Sequence, residues 1–274
     1  MPDSAKDEIY LQSALVVVAA HQDDEVIGMS AQLAKLGRFS TLIHVTDGAP
    51  MNPIFAERAG FSSRDAYSAA RHQEMLKAVA LAGMRPDQCL TLGYADQDAA
   101  LHLVEIAGRL QNLLRQLQPK FVFTHTYEGG HPDHDACSLA VRAALAGLAN
   151  EGMVPPALME FTSYHLRDGQ HVSFEFLPNS DEPVHTKELN EAERARKQQM
   201  YDCYATQARV LAKFPIGIER HRNAPVYDYT KPPHAGQLYY ETFPSGMTPG
   251  KWCELASAAM RELAEQGITW ASPS

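Results

Sequence analysis

Short apolar runs alternate with helical segments four times in the first half of the chain, and this alternation limits the fold more than any other feature. The apolar runs cover residues 15–20, 41–46, 89–92 and 121–124. Segments with helical spacing follow them at 26–36, 65–82, 101–117 and 136–148. Four strand–helix units in a row predict an α/β fold: a Rossmann-like, doubly wound, mainly parallel sheet.

The pattern becomes mixed after residue 150. We predict strands at 158–166, 171–176 and 238–243, helices at 188–211 and 250–266, and an irregular tract at 215–236. No linker or low-complexity stretch separates the two halves. We therefore expect a single domain over 1–274, in which 1–150 is the parallel core and 151–274 is a smaller mixed C-terminal extension.

The composition argues against several classes of protein. Hydrophobic residues make up 45% and charged residues 21% of the 274, which is ordinary for a soluble globular protein. The net charge of −9 argues against nucleic acid and anionic membranes as partners.

The acidic first residues argue against a signal peptide, and no apolar stretch is long enough for a transmembrane helix. Four widely spaced cysteines favour reduced thiols and a cytoplasmic location, and the sequence leaves a homo-oligomer open.

A histidine and three acids follow the first apolar run directly, in the order His21-Gln22-Asp23-Asp24-Glu25. In an open α/β sheet, the carboxyl ends of the strands are where ligands bind. Adjacent acids repel one another, and a divalent cation would relieve that repulsion. The alternative is that one of these acids caps the helix that begins here.

A second polar cluster follows the fourth apolar run, in the order His131-Pro132-Asp133-His134-Asp135. Its acids could cap the N-terminus of the helix that follows. Helix capping would, however, give no role to the histidines of either cluster. Imidazole nitrogen together with carboxylate oxygen suits Zn²⁺ or another first-row ion such as Fe²⁺. Two histidines and one carboxylate leave coordination positions open, as in a catalytic metal site. We expect the two loops to meet at one such site, in the 1–150 core.

These two clusters together resemble the paired signature of the LmbE-like, or PIG-L, family of metal-dependent N-deacetylases that act on N-acetylglucosamine-type substrates. Weaker matches are Thr46-Asp47-Gly48-Ala49, Arg71-His72-Gln73-Glu74, Leu92-Gly93-Tyr94-Ala95-Asp96 and the segment 197–207. The resemblance covers roughly residues 14–150 well and the remainder loosely. Gln22 is a departure, because the family usually has proline at that position.

The resemblance implies a role for each residue of the two clusters. His21, Asp24 and His134 become the metal ligands, and Asp23 becomes the general base. His131 faces the substrate carbonyl and, in its charged form, stabilises the oxyanion or protonates the leaving amine. Asp133 orients His131 through the other ring nitrogen.

Three further residues are candidates for substrate contact, each with a structural alternative. Arg71 could bind a sugar hydroxyl or phosphate, or it could pair with Glu74 or Asp47 as scaffold. Asp96 could accept hydrogen bonds from sugar hydroxyls, or it could be a turn residue. Tyr127 could line the pocket, although aromatic residues near strand ends are usually core.

The function that the resemblance implies is hydrolysis of the N-acetyl amide of a small, soluble amino sugar or its conjugate. One alternative is an amidase that acts on a larger acyl group or a thiol conjugate. An alternative of another class is a metal-containing carbohydrate-binding protein without activity. A dinucleotide-dependent oxidoreductase is excluded, because the first strand–helix turn carries acids where a glycine-rich phosphate loop would be required.

Overall fold

A twisted seven-stranded sheet forms the centre of the protein in a computed structural model, which describes residues 14–271. The acidic N-terminal stretch discussed above lies outside the described residues. The strands are β1 (Leu15–Ala19), β2 (Ser40–Pro50), β3 (Cys89–Asp96), β4 (Phe121–His125), β5 (Ala157–Phe161), β6 (Tyr164–Arg167), β7 (Gln170–Ser173), β8 (His185–Glu188) and β9 (Ile218–Asn223). The sheet order is β3-β2-β1-β4-β5-β9-β8, and β6 and β7 form a separate hairpin.

Helices cover both faces of this sheet. They are α1 (Asp24–Leu36), α2 (Ile54–Arg58), α3 (Arg64–Ala80), α4 (Leu103–Leu117), α5 (Pro132–Asn150), α6 (Glu191–Asp202), α7 (Ala208–Leu211) and α8 (Pro249–Glu265). Because side chains alternate along a strand, Val16 and Val18 pack into one core, under α4, α5 and α8, while Val17 and Ala19 pack into the other, under α1 and α3. The predicted doubly wound α/β fold is confirmed.

The strand order places the two polar clusters next to each other. β1 pairs in parallel with both β2 and β4, so the chain reverses its direction of winding between β1 and β4. At such a switch point the loops that leave the two strands diverge and open a crevice at the carboxyl edge. The loop after β1 carries His21, and the loop after β4 carries His131, so both clusters border this crevice.

The C-terminal half extends the same sheet and corrects three of our predictions. β5 is parallel to β4, whereas β9 and β8 are antiparallel additions. β9 lies inside the tract that we predicted to be irregular. The predicted strand at 238–243 is instead a 3₁₀ turn, Tyr239–Thr242, in which the Glu241 carboxylate accepts a hydrogen bond from the backbone N–H of Leu238. The helix predicted at 188–211 is interrupted between α6 and α7.

The buried Lys197 of α6 forms an ion pair with Glu219 of β9 and a hydrogen bond to the helix that carries Asp24. Lys197 is fully buried, and its Nζ donates to the Ile27 carbonyl at 2.7 Å and lies 3.2 Å from Glu219 Oε1. Removing one partner of a buried pair leaves an uncompensated charge. We expect Lys197→Met to lower the free energy of unfolding by about 3–5 kcal/mol in urea denaturation. The double variant Lys197→Met/Glu219→Gln should recover much of this loss, and a loss below about 1 kcal/mol in the single variant would contradict the role given to the pair.

Candidate metal centre

The turn between β1 and α1 holds Asp23 in an unusual backbone conformation. Its φ of 139° and ψ of −28° lie outside the regions that residues with a side chain normally occupy. Asp23 stands at the N-cap position, but its side chain makes no capping hydrogen bond. Capping therefore does not explain this acid. Strain of this kind at a buried acid is typical of functional sites.

The three predicted metal ligands lie together behind this turn. Asp24 Oδ2 is 3.2 Å from His21 Nδ1, and Asp24 Oδ1 is 3.2 Å from His134 Nε2. All three side chains are almost completely buried. Two imidazoles thus face the two oxygens of one carboxylate.

The donor set fits a metal ion. Neither ring nitrogen of His134 has a hydrogen-bond partner within the described part of the chain, although the residue is 1% exposed. Burial lowers the pKa of His134 to about 4, so its ring is neutral near neutral pH and has a free lone pair. Burial opposes ionisation of Asp24, but His134 and His125 hold the pKa of that carboxyl well below its usual range. A charged carboxylate beside a neutral imidazole is the ligand state that Zn²⁺ or Fe²⁺ requires.

Asp133 lies closer to His21 than to His131, whose Nδ1 is 3.8 Å from the same carboxylate, so the predicted orienting of His131 stays a prediction. Its Oδ2 lies 3.1 Å from Nε2 of His21, the nitrogen opposite the one that faces Asp24. The carboxylate also accepts hydrogen bonds from the backbone N–H groups of Gln97 (2.6 Å) and Ala99 (3.1 Å). A carboxylate behind a ligand histidine fixes the orientation of the ring. The turn after β3, in which Gln97 has a φ of 76°, thereby helps to position His21.

The surroundings of His131 favour the neutral ring, whereas the resemblance implied a charged imidazolium. Its Nδ1 accepts a hydrogen bond from the backbone N–H of Asp133 at 3.2 Å, so the ring caps the start of α5. Burial and the neighbouring His21 lower the pKa of His131 to about 3. With Nδ1 occupied as an acceptor, the ring proton resides on Nε2, which faces Asp96 Oδ1 at 3.6 Å. His131 therefore presents an N–H donor to the pocket at neutral pH.

Asp96 reaches the same centre from the end of β3. Its Oδ1 lies 3.1 Å from His21 Nε2, and its Oδ2 lies 3.9 Å from an Arg71 nitrogen. Burial alone would raise its pKa, but His21, through its hydrogen bond and charge, and the guanidinium of Arg71 lower it below the usual range. Asp96 lines the pocket as an anion, so substrate contact stays a prediction for this residue.

Arg71 acts mainly on the turn that carries Asp23. Its guanidinium donates to the Gly48 carbonyl at 2.5 Å and to the Gln22 carbonyl at 2.9 Å, and it lies 3.4 Å from Asp23 Oδ2. It pairs with neither of the two acids that we had considered as scaffold partners. Gly48, with a φ of +72°, is required here because a Cβ atom would lie 2.8 Å from the guanidinium carbon. The guanidinium also borders the pocket, where contact with substrate stays a prediction.

The charge of Arg71 should set the acid limb of any pH–rate profile. Burial and the repulsion of Asp24 raise the pKa of Asp23 to about 8, and Arg71 opposes this rise. A general base works only when deprotonated, so the rate increases as the pH rises through its pKa. We expect Arg71→Gln to move the acid limb of kcat/KM to higher pH, and Arg71→Lys, which keeps the charge, to move it less. An acid limb that stays in place in a folded Arg71→Gln protein would show that the limb does not report Asp23.

Tyr127 belongs to the core and not to the pocket, so its predicted substrate contact is wrong. The residue is 2% exposed, and its hydroxyl donates to the Lys231 carbonyl at 2.8 Å. Its ring packs against Tyr229 and Trp252, with centroids 4.9 Å and 5.1 Å away. These contacts fasten α8 to the loop after β4.

Sequence reasoning missed His125, which lies against two of the predicted ligands. Its ring stacks on that of His134 with centroids 3.8 Å apart, and its Nε2 lies 3.3 Å from Asp24 Oδ2. Nε2 also accepts a hydrogen bond from the backbone N–H of Ala20, the residue before His21. Its lone pair is therefore already engaged, and we interpret His125 as a support for both ligand loops. The sequence signal that could have identified His125 is its position at the end of β4, the strand that leads into the second polar cluster.

Gln22, the departure from the family pattern, joins the ends of two strands. Its side-chain N–H donates to the Thr46 carbonyl at 3.1 Å, and its own carbonyl accepts from Arg71. The side chain thus supplies a polar contact to a turn in which proline would restrict φ.

The chain matches a family model at residues 16–145, that of PIG-L, described as GlcNAc-PI de-N-acetylase. Over this stretch, a little under half of its length, the chain is similar to the PIG-L family. The match includes both polar clusters, and the described residues after 145 build most of the outer pocket.

Solved structures share the PIG-L fold at low identity. The A40926 pseudoaglycone deacetylase Dbv21 is 20% identical, with 77% of this chain and 97% of that one covered and a TM-score of 0.59. A deacetylase of teicoplanin biosynthesis is 17% identical (76% and 96% covered, TM-score 0.58). GalB, the 4-carboxy-2-hydroxymuconate hydratase of Pseudomonas putida KT2440, is also 17% identical (78% and 96% covered, TM-score 0.54). Deacetylases and a hydratase thus share this fold, so the reaction must be argued from the site.

Proposed function

We propose that this protein is a metal-dependent deacetylase that hydrolyses the N-acetyl amide of an amino sugar or its conjugate and releases acetate and a free amine. One observation carries the proposal: the side chains of His21, Asp24 and His134 converge at the pocket that Asp23 and His131 also line. The description of the matching family model as a GlcNAc-PI de-N-acetylase supports the choice of an N-acetylglucosamine-type substrate.

The proposed ligands are His21, Asp24 and His134, and the ion is Zn²⁺ or a similar ion such as Fe²⁺. When bound, such an ion lowers the pKa of a coordinated water and polarises the amide carbonyl. Asp133 holds His21 in orientation from behind, as its 3.1 Å contact indicates.

Asp23 transfers the protons in this scheme, and His131 stabilises the negative charge that develops on the carbonyl oxygen. Asp23, with its pKa raised to about 8 by burial, is basic enough to take the proton of the attacking water. Because His131 is neutral, its Nε2–H donates a hydrogen bond to the carbonyl oxygen as negative charge develops there. Asp23 then supplies the proton that the leaving nitrogen needs, which regenerates the carboxylate. In this scheme His131 stabilises charge and transfers no proton.

Three other functions remain as competing outcomes. An amidase for larger acyl groups would use the same residues with a different acid as product. A hydratase, as in the fold relative GalB, would add water to a carbon–carbon double bond and release neither acetate nor amine. A binding protein without activity would not need Asp23 or His131, yet both line the pocket.

The test is incubation of the metal-loaded protein with a panel of N-acetylated amino sugars and conjugates, with N-butanoyl analogues and an unsaturated hydroxy acid as comparisons. The proposal predicts acetate and primary amine in a 1:1 ratio. Turnover of only the butanoyl amides, hydration of only the unsaturated acid, or binding without turnover would each overturn it in favour of the corresponding alternative.

We further propose that the substrate is a small soluble molecule met in the cytoplasm and not a lipid-linked one in a bilayer. Across residues 14–271, no helix is long and apolar enough to cross a membrane. Activity on a glycolipid in vesicles, with none on the soluble panel, would contradict this part of the proposal.

A further inference from the structure

Two backbone groups that would close one turn of α1 both bond to side chains of the C-terminal extension. In a regular α-helix, the N–H of Ala31 donates to the carbonyl of Ile27, four residues earlier. Here the Ala31 N–H donates to the Glu219 carboxylate at 3.2 Å, and the Ile27 carbonyl accepts from Lys197 Nζ at 2.7 Å. Because Nζ of Lys197 lies 3.2 Å from Glu219 Oε1, one ion pair contacts both ends of this position in the helix ladder.

These contacts are buried and well supported. Lys197 is 0% and Glu219 is 1% exposed. Ser30 Oγ donates to the same carboxylate at 2.5 Å, and the ring of Phe174 lies 5.2 Å from Lys197 Nζ. Hydrogen bonds to charged groups are strong, and in a buried place water does not substitute for either partner. The ion pair therefore fixes the position of the Ile27 carbonyl.

The first turn of α1, which the pair holds, also carries the proposed base and one proposed metal ligand. The N–H of Ile27 donates to the Asp23 carbonyl at 2.9 Å, and the Asp24 carboxylate accepts from the His21 N–H at 2.8 Å. Asp23 has a φ of 139°, and a backbone in such a conformation persists only where its surroundings hold it. A shift of Ile27 would thus be transmitted directly to Asp23 and Asp24.

A second buried ion pair on β9 has no such connection to α1. Arg222 Nε donates to Glu160 Oε1 at 2.7 Å, and Arg222 is 1% exposed. The other side chains that accept hydrogen bonds from its guanidinium are Tyr227 and Asn179. None of these partners belongs to α1 or to the proposed ligands, so this pair is a natural comparison for the first one.

We propose that Lys197 and Glu219 are positioning residues of the metal centre, which place Asp23 and Asp24 through the first turn of α1. The inference rests on the proposed function for its metal, and it gives the C-terminal extension a part in the inner site. Without the pair, the Ala31 N–H and the Ile27 carbonyl are free to bond to each other. That bond would draw the first turn into line with the rest of α1 and move Asp23 and Asp24 away from their places beside His134.

The experiment separates positioning from stability. Lys197→Met/Glu219→Met removes both charges and both contacts to α1, and replacing a buried ion pair by apolar side chains of similar size is often neutral for stability. Arg222→Met is the matched control, because it leaves a buried carboxylate without its partner and destabilises the protein without touching α1. Urea denaturation gives the stability of each variant, and Zn²⁺ affinity, kcat and KM are measured where all of them are folded.

We expect the double variant to keep near wild-type stability, to bind Zn²⁺ about 10-fold more weakly and to lose about 10-fold in kcat when metal-loaded, with little change in KM. Arg222→Met should be less stable but keep its Zn²⁺ affinity. Wild-type Zn²⁺ affinity and kcat in the double variant, or an equal loss of affinity in Arg222→Met, would overturn the inference while the proposed function stands.

Amide hydrogen exchange at Ile27 decides the inference if the wild-type protein binds no Zn²⁺, an outcome that by itself contradicts the proposed function. The N–H of Ile27 is bonded to the Asp23 carbonyl, so its exchange reports whether that turn keeps its place. We expect this amide to exchange faster in Lys197→Met/Glu219→Met than in the wild type under conditions where both are folded. Unchanged exchange at Ile27 in the double variant would show that the pair does not position the turn.

Discussion

Replacing Asp23 with asparagine should leave the metal bound and lower kcat by about 10²–10⁴-fold. The reason is that Asp23 contacts Arg71 and lines the pocket, while the contacts between His21, Asp24 and His134 do not involve it. Asparagine keeps the size of the side chain but cannot accept the proton of water at neutral pH. The measurement is single-turnover and steady-state amine release with the metal content of each sample determined in parallel.

A substitution at position 23 could disturb its unusual backbone conformation, so this variant needs a control. Asp23→Gly serves as that control. Asp23→Gly would relieve the positive φ but also remove the base. If loss of activity came from the backbone alone, Asp23→Gly would retain more activity than Asp23→Asn. Near-normal kcat in metal-replete Asp23→Asn would show that another group takes the proton.

Replacing His134 with alanine should remove the metal and all measurable activity. His134 offers a neutral ring nitrogen 3.2 Å from Asp24 Oδ1, and its loss leaves only two of the proposed ligands. Because loss of a mere supporting residue costs about 10–100-fold in metal affinity, loss of a ligand should exceed that range. His21→Ala should behave in the same way. Chelator competition followed by elemental analysis measures both variants.

His131→Ala is the matched control, since its ring lies in the same cluster with centroids 5.4 Å from His134. We expect this variant to keep its metal and to lose about 10²–10³-fold in kcat, as expected for removal of an oxyanion donor. If His131→Ala loses the metal while His134→Ala keeps it, the roles of the two histidines are interchanged.

The core of the fold could be predicted from the sequence because its buried strands are nearly continuous apolar runs. β1 and β4 are of this kind, and since parallel strands end at one edge of the sheet, their polar loops had to lie on the same side. β9 escaped prediction because its sequence, IERHRN, has no such run and carries charges on a strand near the sheet edge. Burial of Arg222 against Glu160 at 2.7 Å compensates for that polarity, and only the folded chain shows this pair.

Inside the site, residue types could be predicted but their partners could not. The histidines and acids of the two clusters follow from the chemistry of metal ligands. The carboxylate of Asp133, however, is held by the backbone of Gln97, 36 positions earlier in the chain, so its partner depends on the β3 turn. The tautomer of His131 likewise depends on its position as the cap of α5. Long-range contacts of this kind carry no local signal in the sequence.

The most direct test of the account is the dependence of amide hydrolysis on metal occupancy. Protein stripped by a chelator would be reconstituted with increasing Zn²⁺ or Fe²⁺, and amine release from an N-acetylated amino sugar would be measured at each occupancy. The account predicts no activity without metal and a linear increase that ends at about one ion per chain, since one carboxylate and two imidazoles form one site. Full activity in the stripped protein, or none at full occupancy with either ion on any substrate of the panel, would contradict it.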